Sequence, residues 1–155
     1  FPAIALGMDS VDPKAMERFP RKSSDPILSF RFSLQLVLVS TVIGVGTLAA
    51  CHFGLRTSAA LAQTMAFTTL VVLELVRVQM VRSQYHIGFF SNRWIIGALG
   101  SSLLVQLMVI YLPPLQKIFG TVGLGLKEWG VIAIVTFLVG IGGYLINRIF
   151  QKRWA

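Results

Sequence analysis

FSLQLVLVSTVIGVGTLAACHFGL, residues 32–55, holds 24 consecutive positions without a formally charged side chain, bounded by Arg31 and Arg56. A helix crossing the hydrocarbon core of a bilayer needs roughly 20 apolar residues, so this stretch reads as a span from about Phe32 to Phe53. Working outward, TSAALAQTMAFTTLVVLELVRVQM gives a second span, Thr57 to Met80, apolar except for Glu74 and Arg77. A third runs from Trp94 to Leu112 and is stopped by Pro113 and Pro114, which supply no backbone donor and clash with a continuing helix. The fourth, Trp129 to Asn147, lies between Glu128 and Arg148. A barrel would need alternating segments of about ten residues, whereas continuous apolar runs satisfy their backbone bonds within helices. The expected fold is all-α: a polytopic helical membrane bundle of four transmembrane helices, at residues 32–53, 57–80, 94–112 and 129–147.

Composition agrees. The 155 residues are 55% hydrophobic and 13% charged, with a mean hydropathy of +0.74, whereas an ordinary soluble domain carries about 25% charged residues. The net charge of +8 does not mark a nucleic-acid binder, because the basic residues lie between apolar runs and not on one amphipathic face. They divide instead between alternating connections. Residues 1–31, 77–93 and 148–155 hold 11 Lys and Arg, and the connections at 54–56 and 113–128 hold only Arg56, Lys117 and Lys127. Basic residues accumulate on the cytoplasmic side, which puts both ends of the chain and the 77–93 loop there. Trp94, Tyr111, Trp129 and Tyr144 suit an interfacial aromatic belt and are equally compatible with plain packing. The single cysteine, Cys51, excludes a disulfide framework within the chain and any cysteine-based zinc site.

The amino end divides into two parts. FPAIALGM, residues 1–8, is apolar but too short to span and lacks the basic region of a signal peptide, so it reads as the cytoplasmic end of a preceding transmembrane helix. Residues 9–31 form a cytoplasmic loop punctuated by Pro13, Pro20 and Pro26. The four-helix domain then occupies residues 32–155.

Chemistry points to Glu74. An acidic group within a membrane helix costs roughly 2.5 to 3.5 kcal/mol on insertion scales, and that cost usually reflects a use. At 100° per residue, Gln63 and Phe67 fall within about 20° of Glu74, so Gln63 and Glu74 share a face. A carboxylate and an amide oxygen are hard ligands, suited to a small cation or a proton relay. The alternative is that Glu74 pairs with Arg77, one turn nearer the cytoplasm, as a neutralised pair. Gln35 and Gln106 could complete a polar cluster, or each could form a simple interhelical hydrogen bond. Ser58, Ala62 and Ala66, and Gly97 with Ser101, are stripes of small residues that let helices approach closely. His52 and His86 have no partner at metal-ligand spacing. There is no phosphate-cradling loop, no G-x-S-x-G and no pair of carboxylates within one span, so no catalytic residue is assigned.

These residues carry a resemblance. FPAIALGMDSVDPKAMERFPRKSSDPI resembles the cytoplasmic end of the sixth helix and the following loop of P-type cation pumps, through Pro2, Ala3, Ala5, Leu6, Gly7, Asp12, Pro13, Met16, Pro20 and Arg21. TMAFTTLVVLEL is similar to the eighth helix of calcium-type pumps, whose membrane carboxylate stands at the place of Glu74. The RSQY segment, Trp94, Tyr111 with Pro113, and Glu128-Trp129 follow the family's order. The resemblance runs nearly end to end and implies that the four spans are helices seven to ten. It implies a pump that couples ATP hydrolysis, with Mg²⁺, to cation transport, calcium being one candidate cation. The nucleotide and phosphorylation sites precede this region. By the same carry-over Glu74 would help ligate a transported ion, and the helical spacing, not the resemblance, offers Gln63 and Arg77 as supporting polar groups. Arg77 departs from the calcium-pump pattern, which has small or amide residues just after the carboxylate. If it neutralises Glu74, a single ion per cycle or a proton counter-ion becomes the alternative. The implied partners are the lipid bilayer and the pump's remaining transmembrane helices and catalytic domains, with no nucleic acid. The competing hypothesis is a free-standing small membrane scaffold without enzymatic activity.

Overall fold

In the computed structural model, residues 30–84 and 92–151 are described, the side chains of residues 31, 83, 84 and 151 excepted. They form five helices: α1 Phe30–Leu55, α2 Ala59–Gln84, α3 Arg93–Tyr111, α4 Pro113–Phe119 and α5 Leu126–Gln151. Four of them are long and apolar enough to cross a membrane. Helices α1 and α5 extend two to four residues beyond both ends of the spans read from the sequence, α2 starts two residues later and ends four later, and α3 agrees to within one residue. Backbone hydrogen bonding continues past the apolar stretch into flanking polar residues such as Lys127, Glu128 and Arg148. The reading of the amino end falls outside the described residues.

The connection from Pro113 to Glu128, expected as a loop, contains α4. Pro113 and Pro114 do end α3, but they also occupy the first positions of a new helix, where a missing backbone N–H costs nothing because the first turn has no acceptor for it. Gly120 closes α4 in the left-handed conformation, φ 65°, which a residue without Cβ adopts freely. Asn92 caps α3 by accepting a hydrogen bond from the Trp94 N–H at 2.9 Å, and Glu128 Oε2 accepts one from the Gly125 N–H at 2.9 Å as α5 begins. Each of these side-chain oxygens satisfies a donor that a helix start leaves unpaired.

Helices α1, α2 and α5 pack against one another, and α3 lies against α2. The three-residue turn Arg56–Ser58 folds α2 back along α1. At this turn the backbones nearly touch: a Cβ on Gly54 would lie 2.6 Å from the Ala62 Cα, so only glycine permits the approach. Ala62, one of the small-residue stripe, is buried there. Helix α5 packs on α1 and α2. Gln35 lies opposite Asn147, Val42 opposite Gly142 and Gly46 opposite Val139, so α5 runs antiparallel to α1 and parallel to α2. Helix α3 lies against α2 with Gln106 opposite Thr68.

This alternation puts the start of α1, the end of α2, the start of α3 and the end of α5 at one end of the bundle, and the turn at 56–58 with the 112–125 segment at the other. Arg82, Arg93 and Arg148 therefore gather at one end, and Arg56, Lys117 and Lys127 at the opposite end. At that second end lies the apolar core of Leu61, Met65, Ile110, Leu124 and Ile132, with Val122, Trp129 and Val131 packed on it.

Candidate functional site

Helix α2 is the most enclosed of the four spans, and its burial is one-sided. At 100° per residue, Leu61, Ala62, Thr64, Met65, Thr68, Thr69 and Leu73, all buried, occupy one half of its circumference. Gln63, Phe67, Leu70, Glu74 and Val81, all exposed, fall within about 60° of arc directly opposite. Helices α1, α3 and α5 cover the first half. The stripe carrying Glu74 faces none of them.

The carboxylate of Glu74 lies 3.7 Å from the Arg77 guanidinium, with the two side chains 52% and 30% exposed respectively. Arg77 also lines a small cavity of about 20 Å³ with Val39, Val42, Leu73, Met80 and Gly143. Arg77 thus stands at the border between the covered and uncovered sides of α2. Glu74 sits about 22 Å along the helix from Ala59, within the membrane-crossing part. Gln63 shares its face but stands three turns away, about 16 Å of rise, so the two cannot enter one ion's coordination shell.

The other polar residues do not join this face. Gln106, buried, donates from Nε2 to Thr68 Oγ1 at 3.1 Å, tying α3 to α2. Gln35 donates from Nε2 to Asn147 Oδ1 at 2.7 Å, tying α1 to α5. Both amides take the interhelical role, and the polar cluster around Glu74 does not form from them. Their partners Thr68 and Asn147 carry no signal of their own in the sequence beyond periodicity, which puts Thr64 and Thr68 on the α2 face that carries Leu61 and Met65. Glu128 is committed to the start of α5. Among the described residues no group of three His, Cys, Asp or Glu side chains is placed to hold a metal ion.

At the end opposite Arg82 and Arg93 three sets of hydrogen bonds tie α2, α3 and α5 together by way of residues 121–124. The Thr64 hydroxyl donates to Ala60 O at 2.8 Å and accepts from the Val122 N–H at 3.0 Å. Thr121 Oγ1 donates to Val109 O at 2.6 Å. Tyr111 Oη donates to Leu124 O at 2.8 Å and accepts from Trp129 Nε1 at 2.8 Å. Two belt aromatics thus also carry structure, which composition could not distinguish. The hydroxyls of Thr69 and Thr136, about 15 Å into α2 and α5, are buried without a hydrogen-bond partner.

Residues 1–149 match the family described as cation transporting ATPase, C-terminus. The chain is 38% identical over 157 residues to the calcium-transporting ATPase of Bacillus subtilis (strain 168), covering 95% of this chain and 17% of that protein. It is 42% identical over 127 residues to calcium-transporting ATPase type 2C member 2 of Rattus norvegicus, covering 77% of this chain and 14% of that protein. Against type 2C member 1 of Homo sapiens it is 33% identical over 158 residues, covering 98% and 17%. The chain belongs to the C-terminal membrane region of the cation-transporting ATPases, of the calcium-pump-like kind, and it spans between 14% and 17% of the length of these three relatives. It is a multi-pass integral membrane protein. The match favours the pump assignment over a free-standing scaffold.

Proposed function

We propose that this chain is the carboxy-terminal membrane part of an ATP-driven cation pump, and that Glu74 contributes one carboxylate to its ion path. One observation carries the reading: the acid stands on the single stripe of α2 that α1, α3 and α5 leave uncovered. An ionised side chain facing hydrocarbon is costly, so such groups turn to a bundle interior or a wet pathway. The remaining helices of the pump would supply that interior and the other ligands. Calcium is the proposed cation, after the names of the relatives. The end with Arg82, Arg93 and Arg148, on the side of the connections that hold 11 of the 14 Lys and Arg, is assigned to the cytoplasm. ATP and Mg²⁺ act in catalytic parts outside this segment, which supplies no group to them. Gln63 lines the same face as a polar step three turns further along. Arg77 holds Glu74 by charge when no ion is present and must yield when one binds, which favours one cation at this position over two.

The test is Glu74→Gln in the intact protein. The concentration of cation that supports phosphorylation from ATP should rise tenfold or more, the weight of losing one charged ligand at about 1.4 kcal/mol per decade. A second reading rests on the 3.7 Å contact, in which the pair is purely structural. Replacing Glu74 and Arg77 together by leucine separates the two. Retained transport would establish the structural role, and loss of ion dependence with the fold intact would establish the ion path.

A further inference from the structure

Among the described residues one cation is buried. Arg82 is 2% exposed, whereas Arg56, Arg93, Lys117, Lys127 and Arg148 are exposed and Arg77 is partly so. A guanidinium keeps its proton inside a protein, and a buried charge is costly unless an opposite charge and hydrogen bonds accompany it. Arg82 Nη1 donates to Gln79 Oε1 at 3.0 Å, which satisfies one N–H but leaves the charge to be balanced.

The position of Arg82 raises that demand. It lies within about 40° of Thr68 on the side of α2 that meets α3. Gln106 stands opposite Thr68, so fourteen residues along each antiparallel helix bring Arg82 level with Asn92, the buried cap of α3. The first turn of a helix carries partial positive charge, which adds to the guanidinium at this corner. Glu74 pairs with Arg77 and lies eight residues, about 12 Å of rise, from Arg82. Glu128 is committed to the start of α5, at the other end of the bundle. The remaining acids of the chain are Asp9, Asp12, Glu17 and Asp25. A group that this chain alone encloses takes its counter-charge from this chain. From the buried guanidinium and this inventory we infer that residues 9–25 dock at the corner between the end of α2 and the start of α3, one carboxylate meeting Arg82. The tether allows it. Gly46 faces Leu73, so Arg82 is level with residue 37 of α1, about 10 Å of rise inside Phe30. With helix axes about 8 to 10 Å apart, the site is about 14 Å from Phe30, and the five residues from Asp25 reach about 17 Å. The stretch that leads into α1 is thereby fastened to the helix that carries Glu74.

The test uses the intact protein in mild detergent. Arg82→Lys keeps the charge and offers carbodiimide an amine to join to a carboxylate in direct contact. Peptide mapping should find position 82 linked to residues 9–25. A link to a carboxylate outside that stretch, or none while other amines of the protein are linked, would overturn the inference. Independently, Arg82→Gln should shorten the half-life of the monodisperse peak at a fixed elevated temperature about tenfold. Of Asp9→Asn, Asp12→Asn, Glu17→Gln and Asp25→Asn, one should match that loss alone and add nothing to it in combination. Arg93→Gln, an exposed neighbour, should leave the half-life unchanged. If all four acid changes are additive with Arg82→Gln, the pairing is refuted.

Discussion

The turn between α1 and α2 offers the sharpest test of the packing that orients Glu74. In Gly54→Ala the new Cβ would lie 2.6 Å from the Ala62 Cα, 2.8 Å from its N and 3.1 Å from the Leu61 carbonyl carbon. All three are backbone atoms, so no rotamer change relieves the contact. Carbon contacts settle near 3.5 to 4.0 Å, so the two helices must part by about 1 Å where Ala50, Ala62 and Leu61 are buried. A gap of that size forfeits a quarter to a half of each affected dispersion contact, and overpacking of this kind costs about 1 to 3 kcal/mol. Alanine returns at most about 1 kcal/mol in helix propensity, less so near a helix end. The net expectation is a loss of about 1 to 2 kcal/mol. Gly44→Ala is the control, because a Cβ there meets nothing within 4 Å; it should be neutral or stabilising by up to about 1 kcal/mol. The assay is survival of the monodisperse peak in size-exclusion chromatography of the intact protein after graded heating. Gly54→Ala should lose the peak at a lower temperature than the parent and Gly44→Ala should not. If both melt with the parent, the close approach of α1 and α2 is refuted, and with it the placement of the Glu74 stripe opposite the covered half of α2.

Three further outcomes are expected. Gln106→Leu and Thr68→Val each break the α2–α3 hydrogen bond; the single changes should each cost about 0.5 to 2 kcal/mol, and the double variant should recover part of it because no orphan remains, as a double-mutant thermal series would read. Tyr111→Phe removes the acceptor for Trp129 Nε1 and the donor to Leu124 O, so heat stability should fall by about 1 kcal/mol and tryptophan emission should shift as the indole loses its partner. Thr136→Val substitutes a methyl for a buried hydroxyl that has no partner and should be neutral or stabilising by about 1 kcal/mol in the same heating series.

The sequence by itself determined the number and position of the spans, because apolar length against bilayer thickness is a one-dimensional property of the chain. It also determined the alternation of basic residues and isolated Glu74 as the acid within a span, since charge is visible wherever it falls. The i, i+3 spacing already offered the Arg77 pair. Helix α4 was legible in principle through Pro113 and Pro114, but the same residues also read as a stop, and local chemistry does not say whether a helix resumes. Only the tertiary structure decided which neighbour each helix takes. Uniformly apolar helices carry almost no amphipathic signal in lipid, so the sequence could not say that α5 returns to α1 or that α3 lies against α2. Gln106 and Gln35 were therefore visible as polar groups whose partners, Thr68 and Asn147, lie 38 and 112 residues away. Gln63 and Glu74 shared a face by periodicity, but the covering of the opposite side by α1, α3 and α5 decided that this face is the free one. Which side of a symmetric-looking apolar helix is covered depends on contacts between distant segments, and those exist only once the chain has folded.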